Sequence, residues 1–215
     1  EDGIRDRSPS RGLGDVYKRQ VHAETSTGVL NPVAEIAALA QERGIPIIVD
    51  AITAIGGSSL CIDDWGVDIC VGASQKALAA PAGFALVAVS QKGWRAIDAQ
   101  PSRPGSWYLN LRTWRRYAHE DAEYHPHPVT IPTSAMRALN LRIRQIIAQG
   151  IDAQLERYAQ AAHRFRSGAH QLGLQTLVPE SEAVKVVTPV IVPQGVDAAQ
   201  AVLGPVSYTH LRAHE

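Results

Sequence analysis

The sequence is poor in cysteine and has no excess of charge of either sign. Its 215 residues include two cysteines, Cys61 and Cys70, and the 21 basic side chains balance 21 acidic ones. Two thiols outside any Cys-x-x-Cys pattern cannot build a disulfide framework, so we expect a reducing, cytoplasmic location. The zero net charge argues against a protein that binds nucleic acid through bulk charge.

Long apolar runs are also missing. No stretch approaches the roughly 20 apolar residues that a membrane helix needs, and we expect no membrane partner. The opening residues, EDGIRDRSPSRG, lack the apolar core of a signal peptide. The hydrophobic content of 45% is nevertheless ordinary for a globular protein that buries a core.

Two common kinds of site lack their sequence signatures. The histidines His22, His125 and His127 are not accompanied by cysteine or aspartate at metal-ligand spacing. The stretch AIGGSS lacks the GxGxxG pattern of dinucleotide-binding loops. We therefore predict neither a metal site nor a dinucleotide site.

The two ends of the chain differ from its centre. Residues 1–20 and 205–215 resemble translated sequencing-adapter sequence, so they are left out of the fold prediction. We expect residues 21–130 to belong to a larger domain. Residues 131–204 are expected to contain long helices and part of a smaller α+β C-terminal domain, so that the natural segment is a fragment.

The first half of this segment alternates helical and strand patterns. NPVAEIAALAQERG (31–44) has an apolar stripe at helical spacing, with Asn and Pro at its start and Gly at its end. IPIIVD (45–50), VDICVGA (67–73) and GFALVAVS (83–90) are short apolar runs, which is typical of strands buried on both faces. The alternation predicts an α/β fold with a mostly parallel sheet and flanking helices.

The second half is predicted to be mainly helical. Residues 93–128 are rich in Trp, Tyr, Arg, His and Pro, which indicates a long crossing or active-site segment. Helices are predicted over 130–150 and 151–172, followed by a proline-containing edge strand over 184–193. Residues 197–204 are predicted to begin a further helix.

One lysine lies in a run of small and apolar residues. Lys76 occurs in VGASQKALAAPAG, where Ser74 and Gln75 are its only polar neighbours. A lysine becomes a nucleophile when its surroundings disfavour the ammonium form. The small neighbours would also leave room for a flat cofactor. A solvated loop lysine just past a strand is the alternative interpretation.

An aspartate occupies a comparable position. Asp50 ends a predicted buried strand, where an ionised carboxylate is costly unless it is paired. The carboxyl ends of parallel strands are where α/β folds hold ligands, and Asp50 and Lys76 both lie at or just past such ends. The pair suits pyridoxal phosphate, because the lysine can form an imine while the carboxylate pairs with the protonated pyridine nitrogen. A helix cap or turn role for Asp50 is the alternative.

Four stretches resemble one enzyme family in order and in spacing. They are HAETSTGVLNPV, IPIIVDAITAIGG, WGVDICVGASQKALAAPAGFALVAVS and HPVTIPTSAMRAL. Together they resemble the class V aminotransferases, which are pyridoxal-phosphate enzymes of fold type I, and in particular the alanine–glyoxylate and serine–pyruvate branch. The resemblance covers nearly all of residues 21–204. It implies a fold type I large domain.

The resemblance implies roles around the cofactor ring. Lys76 would bind the cofactor covalently and transfer protons, and Asp50 would bind its pyridine nitrogen. Thr25 would lie near the phenolic oxygen of the cofactor. Ile52 would pack against one face of the ring.

The resemblance also implies phosphate contacts and a homodimer. Gln75 would help to hold the phosphate, and Thr130 would reach the phosphate in the partner subunit, so that the active sites are shared. The family's tyrosine just before this threonine is spaced differently from Tyr124 here, and His127 lies nearer to its place. The family's phosphate loop, stacking aromatic residue and substrate-binding arginine would lie outside residues 21–204.

The implied reaction is transamination of a small amino acid of the alanine or serine type with glyoxylate or pyruvate. Another class V reaction, by a cysteine desulfurase or a lyase, is a second interpretation. Those relatives usually have histidine where this chain has Gln75, and Cys61 and Cys70 lie in or beside strand-like segments, which predicts buried structural roles. A nucleic-acid module is a third, because LRTWRRYAHEDAEYHPH interleaves arginine with aromatic residues.

Overall fold

The computed structural model describes residues 18–101 and 106–197. The predicted helix at 197–204 lies almost entirely outside these residues, as do residues 1–17 and 205–215. Along the described chain the elements are β1 (Lys18–Val21), α1 (Val33–Glu42), β2 (Ile47–Asp50), β3 (Ile69–Ala73), β4 (Ala85–Val89), α2 (Gln91–Ala99), α3 (Leu111–His119), α4 (Thr133–Gln149), α5 (Ile151–Gln171), β5 (Gln175–Thr176) and β6 (Val190–Ile191).

Four strands form one sheet in the order in which they occur along the chain. β1, β2 and β3 are parallel, and β4 pairs antiparallel with β3. The register sets Val21, Asp50 and Val71 side by side at the carboxyl ends of the parallel strands. The predicted mostly parallel sheet with flanking helices is confirmed.

The two faces of the sheet differ in burial. One face contributes Ile47, Val49 and Cys70 to a core that also contains Val33 and Ala37 of α1. On the opposite face the side chains of Ile48 and Val71 are only half-buried, and that of Asp50 is exposed. The prediction that these strands are buried on both faces is therefore wrong for the described chain. An apolar run shows that a strand tolerates burial, but it does not show what covers it.

The first strand was not predicted. Three of the four residues of β1 (Lys18–Val21) lie in the segment that was left out of the fold prediction. The strand is held by backbone hydrogen bonds, including those from Lys18 N to Pro46 O and from His22 N to Asp50 O, at 2.8 and 2.9 Å. Such bonds do not depend on side-chain identity, so KRQV carries little strand signal of its own.

The segment 93–128 is more regular than predicted, because it contains most of α2 and all of α3. Both helices begin at a residue that caps them. The Ser90 hydroxyl accepts a hydrogen bond from Gly93 N, and the Asn110 side chain accepts one from Arg112 N. These two caps were present in the sequence, and the few apolar residues of α3, Leu111, Trp114 and Ala118, recur at helical spacing.

The two predicted long helices are confirmed as α4 and α5. Gly150 joins them with φ +86°, a left-handed conformation that favours glycine. The predicted strand at 184–193 is reduced to β6, which pairs antiparallel with β5. Within 18–101 and 106–197, every helix is too short or too polar to cross a bilayer.

Candidate active site

A compact loop after β3 presents Lys76 to solvent. The buried hydroxyl of Ser74 donates a hydrogen bond to the Pro81 carbonyl at 2.7 Å. The amides of Ala79 and Ala80 donate to the carbonyls of Lys76 and Ser74 at 2.8 and 3.0 Å. Ala79 has φ +56°, which is uncommon for a residue with a side chain and shows how tightly the loop turns. The side chain of Lys76 is exposed at the outside of this turn.

Three of the predicted site residues share one cavity. Thr25, Gln75 and Lys76 line a depression of about 700 Å³, together with Thr53, Ala77, Ala82, Tyr158, Val186 and Val187. This volume is in the range of about 300–1,000 Å³ that is usual for small-molecule sites. The structure therefore brings together a primary amine, two threonine hydroxyls and an amide beside an apolar wall.

Two other lysines form ion pairs with carboxylates, whereas Lys76 does not within the described residues. Lys92 pairs with Asp68 at 3.3 Å, and Lys185 pairs with Glu180 at 2.9 Å. Lys76 makes no side-chain hydrogen bond or ion pair with any residue in the described part of the chain. A ligand that enters the cavity therefore does not have to displace a carboxylate from this amine.

Asp50 lies at the end of β2 with an exposed side chain, so the expected burial of this carboxylate is not observed. Its Oδ1 accepts a hydrogen bond from Ile52 N at 3.0 Å, while Oδ2 has no hydrogen bond within the described chain. Asp50 lines a second depression, of about 410 Å³, with Val21 and Val71 among its neighbours. Asp50 therefore ends β2 and Lys76 follows the adjacent parallel strand β3, but the two residues line different depressions.

The other two predicted residues do not line the Lys76 cavity. Ile52 is half-buried in the turn after β2, and Thr130 is exposed just before α4. Thr130 was predicted to reach a second subunit, so its role stays a prediction.

The two cysteines differ in exposure. Cys70 is buried, as predicted, but Cys61 is exposed, so the predicted buried role of Cys61 is wrong. Burial, with a smaller contribution from the negative charge of Asp50, raises the pKa of Cys70 to about 11. Neither thiol lines the Lys76 cavity.

Sequence reasoning missed the part that α4 and α5 play. Tyr158 lines the cavity, and its hydroxyl donates a hydrogen bond to the Ala77 carbonyl at 2.8 Å. Arg142 donates from Nε to the Leu78 carbonyl at 2.9 Å. Both acceptors directly follow Lys76 in the chain. In an amphipathic helix, the sequence does not distinguish a tyrosine or arginine that makes such contacts from one at an ordinary surface position.

The fold and the cavity together define a class of protein. A mostly parallel sheet that carries Lys76 just past the end of β3, in a cavity with Thr25 and Gln75, agrees with the fold that the family resemblance implied. The family Aminotransferase class-V matches residues 19–203 by its sequence pattern, and the chain belongs to this family. The predicted family and its pyridoxal-phosphate dependence are thereby confirmed.

Individual relatives agree with this assignment. The chain is 33% identical to an uncharacterized aminotransferase of Methanocaldococcus jannaschii, over 82% of this chain and 45% of that protein. It is 31% identical to a pyridoxamine–pyruvate transaminase of Mesorhizobium japonicum, over 82% of this chain and 44% of that protein. An alanine–glyoxylate aminotransferase from Nostoc sp. has a similar crystal structure, with a TM-score of 0.82 at 28% identity, covering 89% of this chain and 50% of that one. The chain thus spans about half the length of the relatives it matches.

Proposed function

We propose that the protein to which this chain belongs transfers the amino group of a small amino acid, of the alanine or serine type, to glyoxylate or pyruvate. The observation that carries the proposal is the amine of Lys76, which has no partner among residues 18–101 and 106–197 and lines a cavity with Thr25 and Gln75. The names of two relatives, an alanine–glyoxylate and a pyridoxamine–pyruvate transaminase, support these acceptors.

The residues of the cavity suit the cofactor of the family. The hydroxyls of Thr25 and Thr53 and the amide of Gln75 can donate hydrogen bonds to phenolic and phosphate oxygens. Val186 and Val187 provide an apolar wall against which a flat ring can pack. When bound, pyridoxal phosphate supplies an aldehyde and an electron-accepting ring.

Lys76 is the group that moves protons in this proposal. Its amine lies on a loop that the Ser74 hydroxyl anchors to the Pro81 carbonyl. The unprotonated amine would take the proton from Cα of the amino acid and later return it, as a general base and then a general acid. A firmly held loop favours this step, because proton transfer requires heavy atoms within about 3 Å of each other.

Asp50 is the group that holds a proton on the pyridine nitrogen. The Ile52 amide occupies its Oδ1, which leaves Oδ2 to accept a charge-assisted hydrogen bond, worth about 1.5–3 kcal/mol. With such a bond Asp50 would hold the proton on the pyridine nitrogen of the bound cofactor. The proposal requires the ring to extend from the Lys76 cavity to this oxygen at the end of the adjacent strand.

The attachment point tests the proposal directly. The 215-residue chain is mixed with pyridoxal phosphate and reduced with borohydride, and the labelled lysine is identified by peptide mass spectrometry. The sequence contains four lysines, Lys18, Lys76, Lys92 and Lys185, so the other three serve as internal references. We expect label at Lys76 in preference to the others. Equal labelling of all four would contradict the proposal.

We further propose that the complete enzyme is a cytoplasmic homodimer. The exposed position of Thr130 supports a contact with a partner's phosphate, and the two free thiols support a reducing compartment. Sedimentation analysis of the complete enzyme with and without Thr130→Ala checks the dimer. The same pair of proteins, compared for cofactor affinity, tests the phosphate contact.

A further inference from the structure

A buried glutamine links the two loops that carry the proposed acid and amine. Gln154 of α5 is 1% exposed. Its side-chain Nε2 donates hydrogen bonds to the carbonyl of Gly56 at 3.2 Å and to that of Ala77 at 3.4 Å. β2 ends at Asp50, and Gly56 lies in the turn that follows it. Ala77 directly follows Lys76. One amide group therefore holds both loops to the same helix.

The orientation of this amide is determined by its other neighbours. Its Oε1 accepts hydrogen bonds from the guanidinium groups of Arg142, at 2.8 Å, and Arg157. Guanidinium groups only donate and carbonyl groups only accept, so the oxygen must face the arginines and the NH2 group must face the loops. Both polar atoms of this buried side chain are thereby satisfied.

The two loops are also in direct contact beside this amide. A side-chain carbon added at Gly57 would lie 2.3 Å from Cγ1 of Val186 and 2.7 Å from Cβ of Ala77. At Gly57 the two loops are too close to admit one further carbon between them. The hydrogen bonds of Gln154 therefore act on loops whose minimum separation is already determined by packing, and they prevent the loops from moving apart.

We infer that Gln154 is a positioning residue, which fixes the Lys76 loop relative to the turn that follows Asp50. The inference rests on the proposed function, because it concerns where the amine of Lys76 meets the aldehyde of pyridoxal phosphate. Gln154 does not line the Lys76 cavity, so it acts through the backbone of Gly56 and Ala77.

The change Gln154→Glu removes the hydrogen bonds that the NH2 group donates to the loops and keeps an oxygen for the arginines. Glutamate has nearly the same size and keeps an oxygen for Arg142 and Arg157. It replaces the NH2 group by an oxygen that faces two carbonyls, so the links to both loops are lost. Gln145→Glu is the matched control, because Gln145 is exposed on α4 and undergoes the same chemical change.

The measurement is the ratio of pyridoxal-phosphate label at Lys76 to label at Lys92 after borohydride reduction. Lys92 lies outside the cavity and corrects for differences in reagent and reduction. We expect Gln154→Glu to lower this ratio by about tenfold, since a misplacement of about 1 Å can slow a reaction by up to about 100-fold. Gln145→Glu is expected to leave the ratio as in the unmodified chain.

Hydrogen exchange gives a second readout that does not need the cofactor. The amides of Ala79 and Ala80, which donate within the Lys76 loop, are expected to exchange faster in Gln154→Glu than in the control. An unchanged labelling ratio with unchanged exchange at these amides would overturn the inference. If Gln154→Glu does not fold, Gln154→Asn, which keeps the amide but shortens it, is measured against the same criteria.

The outcome for the unmodified chain separates the inference from the proposed function. Equal labelling of Lys76 and Lys92 in that chain contradicts the proposed function, and the inference with it. Preferential labelling of Lys76 in the unmodified chain, with the same labelling ratio in Gln154→Glu and unchanged exchange at Ala79 and Ala80, contradicts only the positioning role.

Discussion

Asp50 lies directly beside Val71 in the parallel register of β2 and β3, and the loop that carries Lys76 begins where β3 ends. The proposed acid and amine thus occupy the ends of adjacent strands, although their side chains line different depressions. Both side chains are exposed. Their removal should therefore affect cofactor chemistry much more than folding.

Asp50 and Asp68 form a matched pair for this expectation. Asp50→Asn keeps an oxygen for the Ile52 amide, so we expect its free energy of unfolding to change by less than about 0.5 kcal/mol. Asp68 is 2% exposed, accepts a hydrogen bond from Ile47 N at 2.9 Å and pairs with Lys92. Asp68→Asn should cost about 1–3 kcal/mol, because a buried acceptor loses its charge. Urea unfolding measures both variants.

The same two variants, introduced into the complete enzyme, test catalysis. Asp50→Asn is expected to reduce transamination strongly while leaving stability intact. An equal loss of stability and turnover would favour a turn-forming role for Asp50 instead.

Lys76→Ala in the complete enzyme should abolish transamination of alanine with glyoxylate. The loss follows from the absence of an amine that can bind the aldehyde and move the Cα proton. Lys92→Ala is the control, and it should keep activity while it loses the ion pair with Asp68. An alanine–glyoxylate assay with unchanged turnover in Lys76→Ala would contradict the assignment.

The two thiols should react at very different rates. Cys61 is exposed, whereas Cys70 is buried and its pKa is raised to about 11. Because the thiolate is the nucleophile, iodoacetamide at about pH 8 should alkylate Cys61 and leave Cys70 unmodified. Peptide mass spectrometry distinguishes the two sites. In urea both should react, and comparable rates in the folded chain would contradict the structure.

His22 should make the folded chain less stable in mild acid. The residue is 3% exposed, and burial lowers the pKa of its side chain below the ordinary value of 6.5. The unfolded chain therefore binds the proton more readily than the folded chain. At a pH above 6.5, His22 should not contribute to the pH dependence of the free energy of unfolding. As the pH falls below 6.5 toward the lower pKa of the folded state, the free energy of unfolding should decrease.

The variant His22→Gln isolates this contribution. Unfolding free energies are compared at about pH 7.5 and pH 5.5, a window above the ordinary range for carboxyl groups. We expect a smaller decrease for His22→Gln than for the unmodified chain. An identical decrease would show that His22 is not the group responsible.

Alanine substitution at two glycines should change the stability of the chain in opposite directions. Gly168 lies inside α5 with no atom within 4 Å of an added side-chain carbon, so Gly168→Ala should stabilise the chain by about 0.5–1 kcal/mol. Gly57→Ala would place that carbon 2.3 Å from Val186 and should destabilise it by about 1–3 kcal/mol. Thermal unfolding of both variants checks the sign of each change.

Local patterns were sufficient for the elements that have strong periodicity. The stripe of α1, the apolar runs of β2 and β3, and the glycines that end α4 and α5 are all short-range signals, and the structure agrees with them. β1 and α3 were missed for different reasons. β1 is decided by backbone pairing, and KRQV carries little strand pattern. In α3, Leu111, Trp114 and Ala118 do recur at helical spacing, but most of the other residues are polar or charged.

The sequence by itself determined the family, the order of its motifs and the candidate amine and acid, because these depend on residue types and on spacing along the chain. Only the tertiary structure decided the exposure of Asp50 and Cys61 and the link from Gln154 to the carbonyls of both loops. Gln154 and Gly56 are separated by 98 positions. No local propensity or periodicity reports a contact over that distance, since it arises only when α5 packs against the loops that follow β2 and β3.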